Sequence, residues 1–257
     1  MNEAAPRFNV LGIGVHAINM ASAIAAIDNA IRSMQKGYIC VTGVHGVMEA
    51  QSDSSFGTIL NHSFLTTPDG MPLVWIGRLQ GFRSVGRVYG PDLMLEVCRL
   101  SAKRGYSHFL YGGQPGVAEQ LAVRLPEMFP GLKIAGTLTP PFRPLNAEED
   151  RELARLVSGS KPDFFWVGLS TPKQERFMAA YLEKLEVKLM AGVGAAFDIH
   201  TGRIKDSPPW IKNAGLQWSH RLLQEPRRLW RRYLINNPIF VFKITMQMLG
   251  IKKYNML

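Results

Sequence analysis

Phe164-Phe165-Trp166-Val167-Gly168-Leu169-Ser170-Thr171-Pro172-Lys173-Gln174-Glu175 passes from a bulky apolar run, through a turn of small residues, into a helix-forming stretch. The run reads as a buried strand and the turn as the loop that leaves its C-terminal end. About a hundred residues earlier, Thr66-Thr67-Pro68-Asp69-Gly70-Met71-Pro72 has the same design. Ile59 to Leu65, apolar with polar interruptions, reads as the strand before it. In a parallel α/β sheet the loops leaving strand C-termini line one crevice, so the Asp69 carboxylate and the Gln174 amide can converge on one ligand.

Working outward, strand-like runs at Asn9–Ile13, Tyr38–Val41, His108–Tyr111, Leu132–Ile134 and Lys188–Ala191 alternate with helical patterns. The helical stretches are Met20–Met34, Pro91–Lys103, Gly116–Met128, Ala147–Val157 and Lys173–Leu185. This alternation predicts an α/β fold with a largely parallel sheet flanked by helices. Gly112-Gly113-Gln114-Pro115-Gly116 and Gly192-Val193-Gly194-Ala195-Ala196 end two of the strands. Such turns are expected to offer backbone N–H groups to phosphate oxygens at helix starts.

A chain of 257 residues, 46% of them hydrophobic, is neither disordered nor fibrous. Cys40 and Cys98 lie far apart in apolar contexts, with no CxxC pair and no secretory leader, which predicts a reduced, cytoplasmic setting. The net charge of +10 is concentrated at one end: residues 203–257 hold eleven Lys and Arg against Asp206 and Glu225, nine of the ten net positive charges. Residues 1–202 are therefore read as a neutral body and 203–257 as a basic helical appendage, divided near Lys205-Asp206-Ser207-Pro208-Pro209-Trp210. A basic tail on a neutral body points to a polyanion: nucleic acid, an anionic membrane surface or a diphosphate. The tail reads as Leu216–Glu225, a second helix from Pro226, and a third from Pro238 with Asn237 as its cap and Gly250 as its stop. The last of these is apolar nearly all round but shorter than the about 20 residues a bilayer span needs. Behind Arg227, Arg228, Trp230, Arg231, Arg232 and Tyr233 it suits a segment lying in a membrane interface.

Single motifs leave alternatives open. Gly12-Ile13-Gly14-Val15-His16-Ala17 matches the dinucleotide pattern GxGxxA after a strand, but no acidic residue follows about 20 positions on, so a nicotinamide oxidoreductase is the weaker reading. Asp69 is either an active-site carboxylate or an Asx-turn residue. Arg87 either clamps a phosphate or pairs with Asp92, and His45, just after the Tyr38–Val41 strand, is within reach of a substrate there. No HxH, HExxH or DxD occurs, and no metal is implied. Arg221, Arg228 and Arg231 share one side if their helix is continuous, whereas Pro226 can split it into two packed turns. They form either a solvated basic face or a phosphate clamp.

The chain resembles the bacterial WecG/TagA/CpsF glycosyltransferases, glycosyltransferase family 26, over nearly its whole length. The resemblance rests on Leu65–Pro72, on Arg87-Val88-Tyr89-Gly90-Pro91-Asp92-Leu93-Met94, and on Phe109–Glu119. It continues through Pro140-Pro141-Phe142, Gly168–Glu175, Gly215-Leu216-Gln217-Trp218 and the arginine tail. It implies a Rossmann-like, inverting, metal-independent transferase without a cofactor, moving a hexose or N-acetylhexosamine from a UDP-sugar to a polyprenyl-diphosphate-linked saccharide. Bacterial exopolysaccharide or cell-surface polysaccharide synthesis is the implied setting. It implies Asp69 as general base, Gln174 and Thr42 in the pocket, and Arg221, Arg228 and Arg231 completing the site at the inner face of the plasma membrane. Arg87 and the tail arginines are the candidates to stabilise the leaving diphosphate, His45, Gly112, Gly113 and Gln114 to line the substrate pocket, and Asp198 to bind the nucleotide. Gly43-Val44-His45 and Asp206-Ser207-Pro208 depart from the family pattern and bear on the sugar rather than on the reaction. The expected partners are UDP-sugar, lipid-linked acceptor and an anionic membrane surface, with homo-oligomers allowed and no nucleic acid. A nucleic-acid-binding protein would explain the tail but leave the Asp69 and Gln174 loops without a use.

Overall fold

The computed structural model describes residues 5–256. Its strands are β1 (Arg7–Val10), β2 (Ile13–His16), β3 (Gly37–Thr42), β4 (Leu65–Pro68), β5 (Ser107–Gly112), β6 (Lys133–Leu138), β7 (Phe164–Gly168) and β8 (Leu189–Gly192). Around them run α1 (Met20–Arg32), α2 (Val44–Ser52), α3 (Ser54–Asn61), α4 (Met71–Leu79), α5 (Gly90–Arg104), α6 (Val117–Met128), α7 (Ala147–Ser160), α8 (Lys173–Tyr181) and α9 (Ala196–His200). The tail contributes α10 (Pro209–Asn213), α11 (Gln217–Gln224), α12 (Pro226–Trp230), a π-helical turn (Arg231–Ile235) and α13 (Asn236–Met248). Six strands form one sheet in the order β4-β3-β8-β7-β5-β6, and the β3–β8, β8–β7, β7–β5 and β5–β6 pairings are parallel. The fold is the expected Rossmann-like α/β sheet flanked by helices.

Two expected strands are placed differently. Asn9–Ile13 is cut by a turn: β1 and β2 pair antiparallel across Leu11 and Gly12, whose φ of 53° and 86° are the left-handed values a tight hairpin needs. The glycines of Gly12-Ile13-Gly14 therefore belong to a hairpin and not to a strand-to-helix phosphate turn. Their N–H groups are taken by Asn9 Oδ1 at 2.7 Å and Asn61 Oδ1 at 2.8 Å, which removes the basis of the dinucleotide reading. Ile59 to Leu65 is the end of a helix followed by a turn: the Asp53 side chain caps α3 by accepting from Phe56 N–H, and Phe56 and Leu60 fall on its buried face. The strand begins only at Leu65 and takes Thr66-Thr67-Pro68 with it.

The chain divides into two compact units. The first holds the N-terminal residues to Met20, Val41–Tyr89 and the tail from Asp206, and the second holds Ala21–Cys40 and Gly90–Lys205. The tail thus clusters with the hairpin and with the segment carrying Asp69. In the first unit, the outer edge of β1 is closed by two glutamines. Gln247 accepts from Leu11 N–H at 2.7 Å and donates to Asn9 O at 2.9 Å, while Gln80 accepts from Asn9 N–H at 3.2 Å and donates to Asn9 O at 2.7 Å. Asn9 Nδ2 donates to Tyr254 O at 2.6 Å, and Phe240 and Ile244 of α13 are buried. An exposed hairpin edge is thereby converted into a dock for the end of the chain.

In the second unit the bulky run Phe164–Val167 is fully buried. Phe109 stacks on Phe165 at 5.1 Å, and Trp166 Nε1 donates to His108 Nδ1 at 2.9 Å. Cys40 and Cys98 are buried free thiols, as apolar context suggested, and burial pushes the Cys98 thiol up to about 12.

Candidate functional site

Of the residues singled out in the sequence, Thr42, His45, Asp69, Arg87, Arg221, Arg228 and Arg231 lie in the first unit; Gly112, Gly113, Gln114, Gln174 and Asp198 lie in the second.

In the first unit, the ends of β3 and β4 are tied together where Asp69 N–H donates to the carbonyl of buried Thr42 at 2.9 Å. Gly70 follows at φ 102°, a conformation side chains resist, and swings the chain into α4, with Pro72 in its first turn. Gly43 is required for a second reason: a Cβ there would come within 3.0 Å of Asp69 O and 4.0 Å of Asp69 Oδ2. His45 stands in the first turn of α2, with Nδ1 3.6 Å from Glu49 Oε1. The loop after α4 returns alongside, Val88 N–H donating to Pro68 O at 2.9 Å.

Tyr89 organises that loop. It is buried, the Arg87 guanidinium carbon lies 4.9 Å from its ring centroid, and the Lys212 ammonium lies 4.7 Å away. Its hydroxyl donates to Asp206 Oδ1 at 3.0 Å, and Asp206 is also paired with Lys212. Burial first, then the charges of Asp206 and Asp69, push the Tyr89 hydroxyl far above its ordinary value, so it remains a donor throughout the physiological range.

The tail arginines are not on one continuous helix. α11 stops at Gln224, Glu225 leaves helical geometry at φ −133° and ψ 58°, and Pro226 opens α12, as a residue with no N–H to donate suits. The break puts Glu225 between two arginines, its Oε2 lying 3.4 Å from Arg221 Nη2 and 2.6 Å from Arg228 Nη2. This break alters the register that i, i+7, i+10 spacing assumes, and a π-helical turn follows from Arg231. Arg231 is exposed, its guanidinium 5.2 Å from the Trp230 ring, whereas the next residue, Arg232, buries its Nε. Burial is the main reason the Arg232 guanidinium is pushed below its ordinary value. Arg221 and Arg228 push the same way, and Tyr233 and Asp69 oppose them.

In the second unit, the Gln174 amide is buried and employed internally. Its Oε1 accepts from Gly194 N–H at 3.0 Å and its Nε2 donates to Glu175 Oε1 at 3.0 Å. Glu175 Oε1 also accepts from Thr171 Oγ1 at 2.8 Å, bracing the loop after β7, which the Gln174–Gly194 bond ties onto the turn after β8. The glycine turns are likewise committed. Gly113 N–H donates to Gly168 O at 3.1 Å, and a Cβ on Gly112 would sit 2.7 Å from that oxygen. The Gly113 and Gly194 N–H groups therefore hold strand ends and loops together. Gln114 is exposed in the middle of the Gly112–Gly116 turn, and Asp198 is half-buried in α9, its carbonyl accepting from Arg203 N–H at 2.8 Å.

Sequence reasoning missed Tyr89, Asp206, Lys212, Glu175 and Arg232 as site residues. The first four sit beside residues or motifs it did quote, and Arg232 was read only as part of the basic cluster before the last helix.

A sequence model described as the glycosyl transferase WecG/TagA/CpsF family matches residues 8–254. The chain belongs to this family. It is 28% identical over 216 residues to the N-acetylglucosaminyldiphosphoundecaprenol N-acetyl-beta-D-mannosaminyltransferase of Bacillus spizizenii strain W23, covering 84% of this chain and 82% of that protein. It is 30% identical over 186 residues to the protein of the same name from Bacillus subtilis strain 168, covering 72% and 70%. The chain is accordingly a glycosyltransferase, not the oxidoreductase or nucleic-acid-binding protein its motifs left open. Among the described residues no helix is long and apolar enough to cross a membrane, and no group of three or more His, Cys, Asp or Glu could hold a metal ion.

Gln174→Ala should lower stability by about 1–3 kcal/mol, because it strips the Gly194 N–H and the Glu175 carboxylate of partners at once. Urea denaturation of the two proteins measures it; an unchanged midpoint would make the amide a surface contact only.

Proposed function

We propose that this transferase moves N-acetylmannosamine, or a closely related hexosamine or hexose, from its UDP derivative to a polyprenyl-diphosphate-linked saccharide, with inversion and without a metal. The observation that supports the reading most is the grouping, within one unit, of the Asp69 carboxylate with the arginines of the tail. The names of the similar Bacillus proteins support the transferred sugar and the diphosphate-linked acceptor.

The chemistry follows from that grouping. An acceptor hydroxyl is a weak nucleophile, and a positioned carboxylate that takes its proton during attack contributes typically about 10²–10⁴-fold. The new bond forms between the acceptor oxygen and the anomeric carbon as the bond to the diphosphate oxygen breaks, the hydroxyl proton passes to Asp69, and UDP departs with the electron pair. Attack opposite to the leaving group inverts the anomeric centre. Negative charge grows on the diphosphate during this step, and fixed guanidinium groups can stabilise it. Arg87, Arg221 and Arg228 are assigned to that task. Gln174 acts by holding two loops in register, and Asp198 and Gln114 remain the candidates for nucleotide contacts.

A lipid-linked acceptor requires the enzyme to reach a membrane surface. The reading is supported by the outer side of the tail, where Trp230, Val241, Phe242, Leu249 and Ile251 are exposed beside Arg227, Arg231, Lys252 and Lys253. Phe240, although equally apolar, is buried and anchors α13 to its own unit.

Asp69→Asn should fold and bind UDP-sugar as before but turn over at least about 10² more slowly, since an amide accepts no proton. Turnover near the wild-type rate would remove Asp69 from the base role. For the membrane, Val241→Glu with Phe242→Glu should abolish co-sedimentation with anionic liposomes while sparing transfer to a short, detergent-soluble acceptor. Undiminished co-sedimentation would place the membrane contact elsewhere.

A further inference from the structure

The outer face of α4 carries apolar side chains that the proposed reaction does not use. The helix starts two residues after Asp69, and its Leu73, Val74, Ile76 and Gly77 are buried. Met71, Trp75 and Leu79 stand at i, i+4 and i+8 and so share the opposite side. Met71 is half-buried, Trp75 is 45% exposed and Leu79 73% exposed. Arg78, the charged residue beside this stripe, turns to the loop after α4, where its Nε donates to Val85 O at 3.1 Å.

The tail borders the stripe. Gly215, in the turn before α11, has φ 73°, and a Cβ there would come within 2.7 Å of Trp75 Cη2 and 3.4 Å of Met71 Cβ. Only bare glycine backbone lets the indole lie against this turn. Leu216, next in the chain, is exposed, and α11 goes on to carry Arg221. The stripe thus starts at the loop of the proposed base and is flanked by the turn that leads to an arginine assigned to the diphosphate.

We propose that Trp75 and Leu79, with Leu216 beside them, seat the first isoprene units of the lipid-linked acceptor. The inference rests on the transferase reading above and adds which part of the acceptor α4 recognises. In a polyprenyl diphosphate the hydrocarbon is bonded directly to the diphosphate, so an enzyme that holds the headgroup must let the chain leave over the surface next to it. Trp75 and Leu79 stand roughly 6 and 12 Å along the helix axis from Met71, on a path that leads away from Asp69 as that chain must. Isoprene carbons laid against an indole and a leucine take apolar surface of both partners out of water. A second copy of this chain fits less well, because three side chains fall short of the roughly 800 Å² per partner of a stable interface. The bilayer, on the reading above, is met by the outer side of the tail.

The test is calorimetric titration of the full chain with farnesyl diphosphate and with methyl diphosphate, which differ only in the hydrocarbon. The proteins compared are wild type, Trp75→Ala, Leu79→Ser and Val123→Ser. Wild type should bind farnesyl diphosphate at least about 10-fold more tightly than methyl diphosphate, the scale of burying two or more methylene groups. Trp75→Ala and Leu79→Ser should each cut that ratio about 3- to 10-fold while binding methyl diphosphate as wild type does. Leu79→Ser, at an exposed position, serves if Trp75→Ala does not fold. Val123→Ser, exposed in α6 of the second unit, should match wild type with both ligands.

Equal affinities for the two diphosphates in the wild type would overturn the proposal. A ratio unchanged in both variants would overturn it as well. Loss of liposome binding alongside would then make the face a bilayer contact, and loss of a dimer in sedimentation would make it an interface between copies. The transferase reading is tested separately, with UDP-N-acetylmannosamine and a farnesyl-diphosphate saccharide as acceptor. A ratio that depends on Trp75 in a protein that transfers no sugar keeps the seat and removes that reading. Transfer in which Trp75→Ala and Leu79→Ser keep the wild-type KM for this acceptor removes the seat and leaves the reading intact.

Discussion

The arrangement around Asp69 depends on how the end of the chain is fastened to its beginning. Gln247 closes the open edge of the hairpin by bonding Leu11 N–H and Asn9 O, and Phe240 and Ile244 of the same helix are buried. At the other end of the tail, Asp206 accepts from the Tyr89 hydroxyl and pairs with Lys212. Each hydrogen bond contributes on the order of 1 kcal/mol net, and a buried phenylalanine adds roughly 1.5–3 kcal/mol. Neither end is strong alone. Held at both, the tail carries its arginines in the same unit as Asp69.

That fastening also explains how like charges are tolerated. Arg221 and Arg228 act on Arg232 with like charge, Glu225 pairs with Arg221 and Arg228, and Tyr233 and Asp69 offset part of the repulsion at Arg232. Coulomb repulsion in a medium less polar than water would push such side chains apart if the backbone were free to yield. The break at Glu225 and Pro226 and the π-helical turn at Arg231–Ile235 fix where the backbone runs. Stability spent in this way makes sense at a site that handles anions, where cations placed beforehand need no rearrangement as charge develops.

Much of this was legible in the sequence, and the parts that were not have identifiable physical causes. Runs such as Phe164–Val167 revealed the parallel sheet because a strand covered on both faces is apolar at every position. The Asp69 loop was legible through Pro68, Gly70 and Pro72, which announce a turn whatever surrounds them. The helix Ser54–Asn61 was misread in part because its short apolar face looks like a strand with interruptions. The hairpin at Leu11 and Gly12 imitates a nucleotide motif, since both need glycine for tight turning. Gln174 was found, but its bonds to Gly194 and Glu175 join residues distant or adjacent in ways no spacing rule encodes. The course of the tail was not legible either, because helical spacing assumes 3.6 residues per turn, which the break at Glu225 and Pro226 and the π turn at Arg231–Ile235 interrupt.

The central claim is that fixed cations in the Asp69 unit, rather than a divalent metal, neutralise the departing diphosphate. The most direct measurement is the initial rate of sugar transfer from UDP-N-acetylmannosamine to a polyprenyl-diphosphate-linked acceptor, taken in excess EDTA and again with Mg²⁺ or Mn²⁺ added. The account predicts the same rate in both. Loss of transfer in EDTA that either ion restores would contradict it.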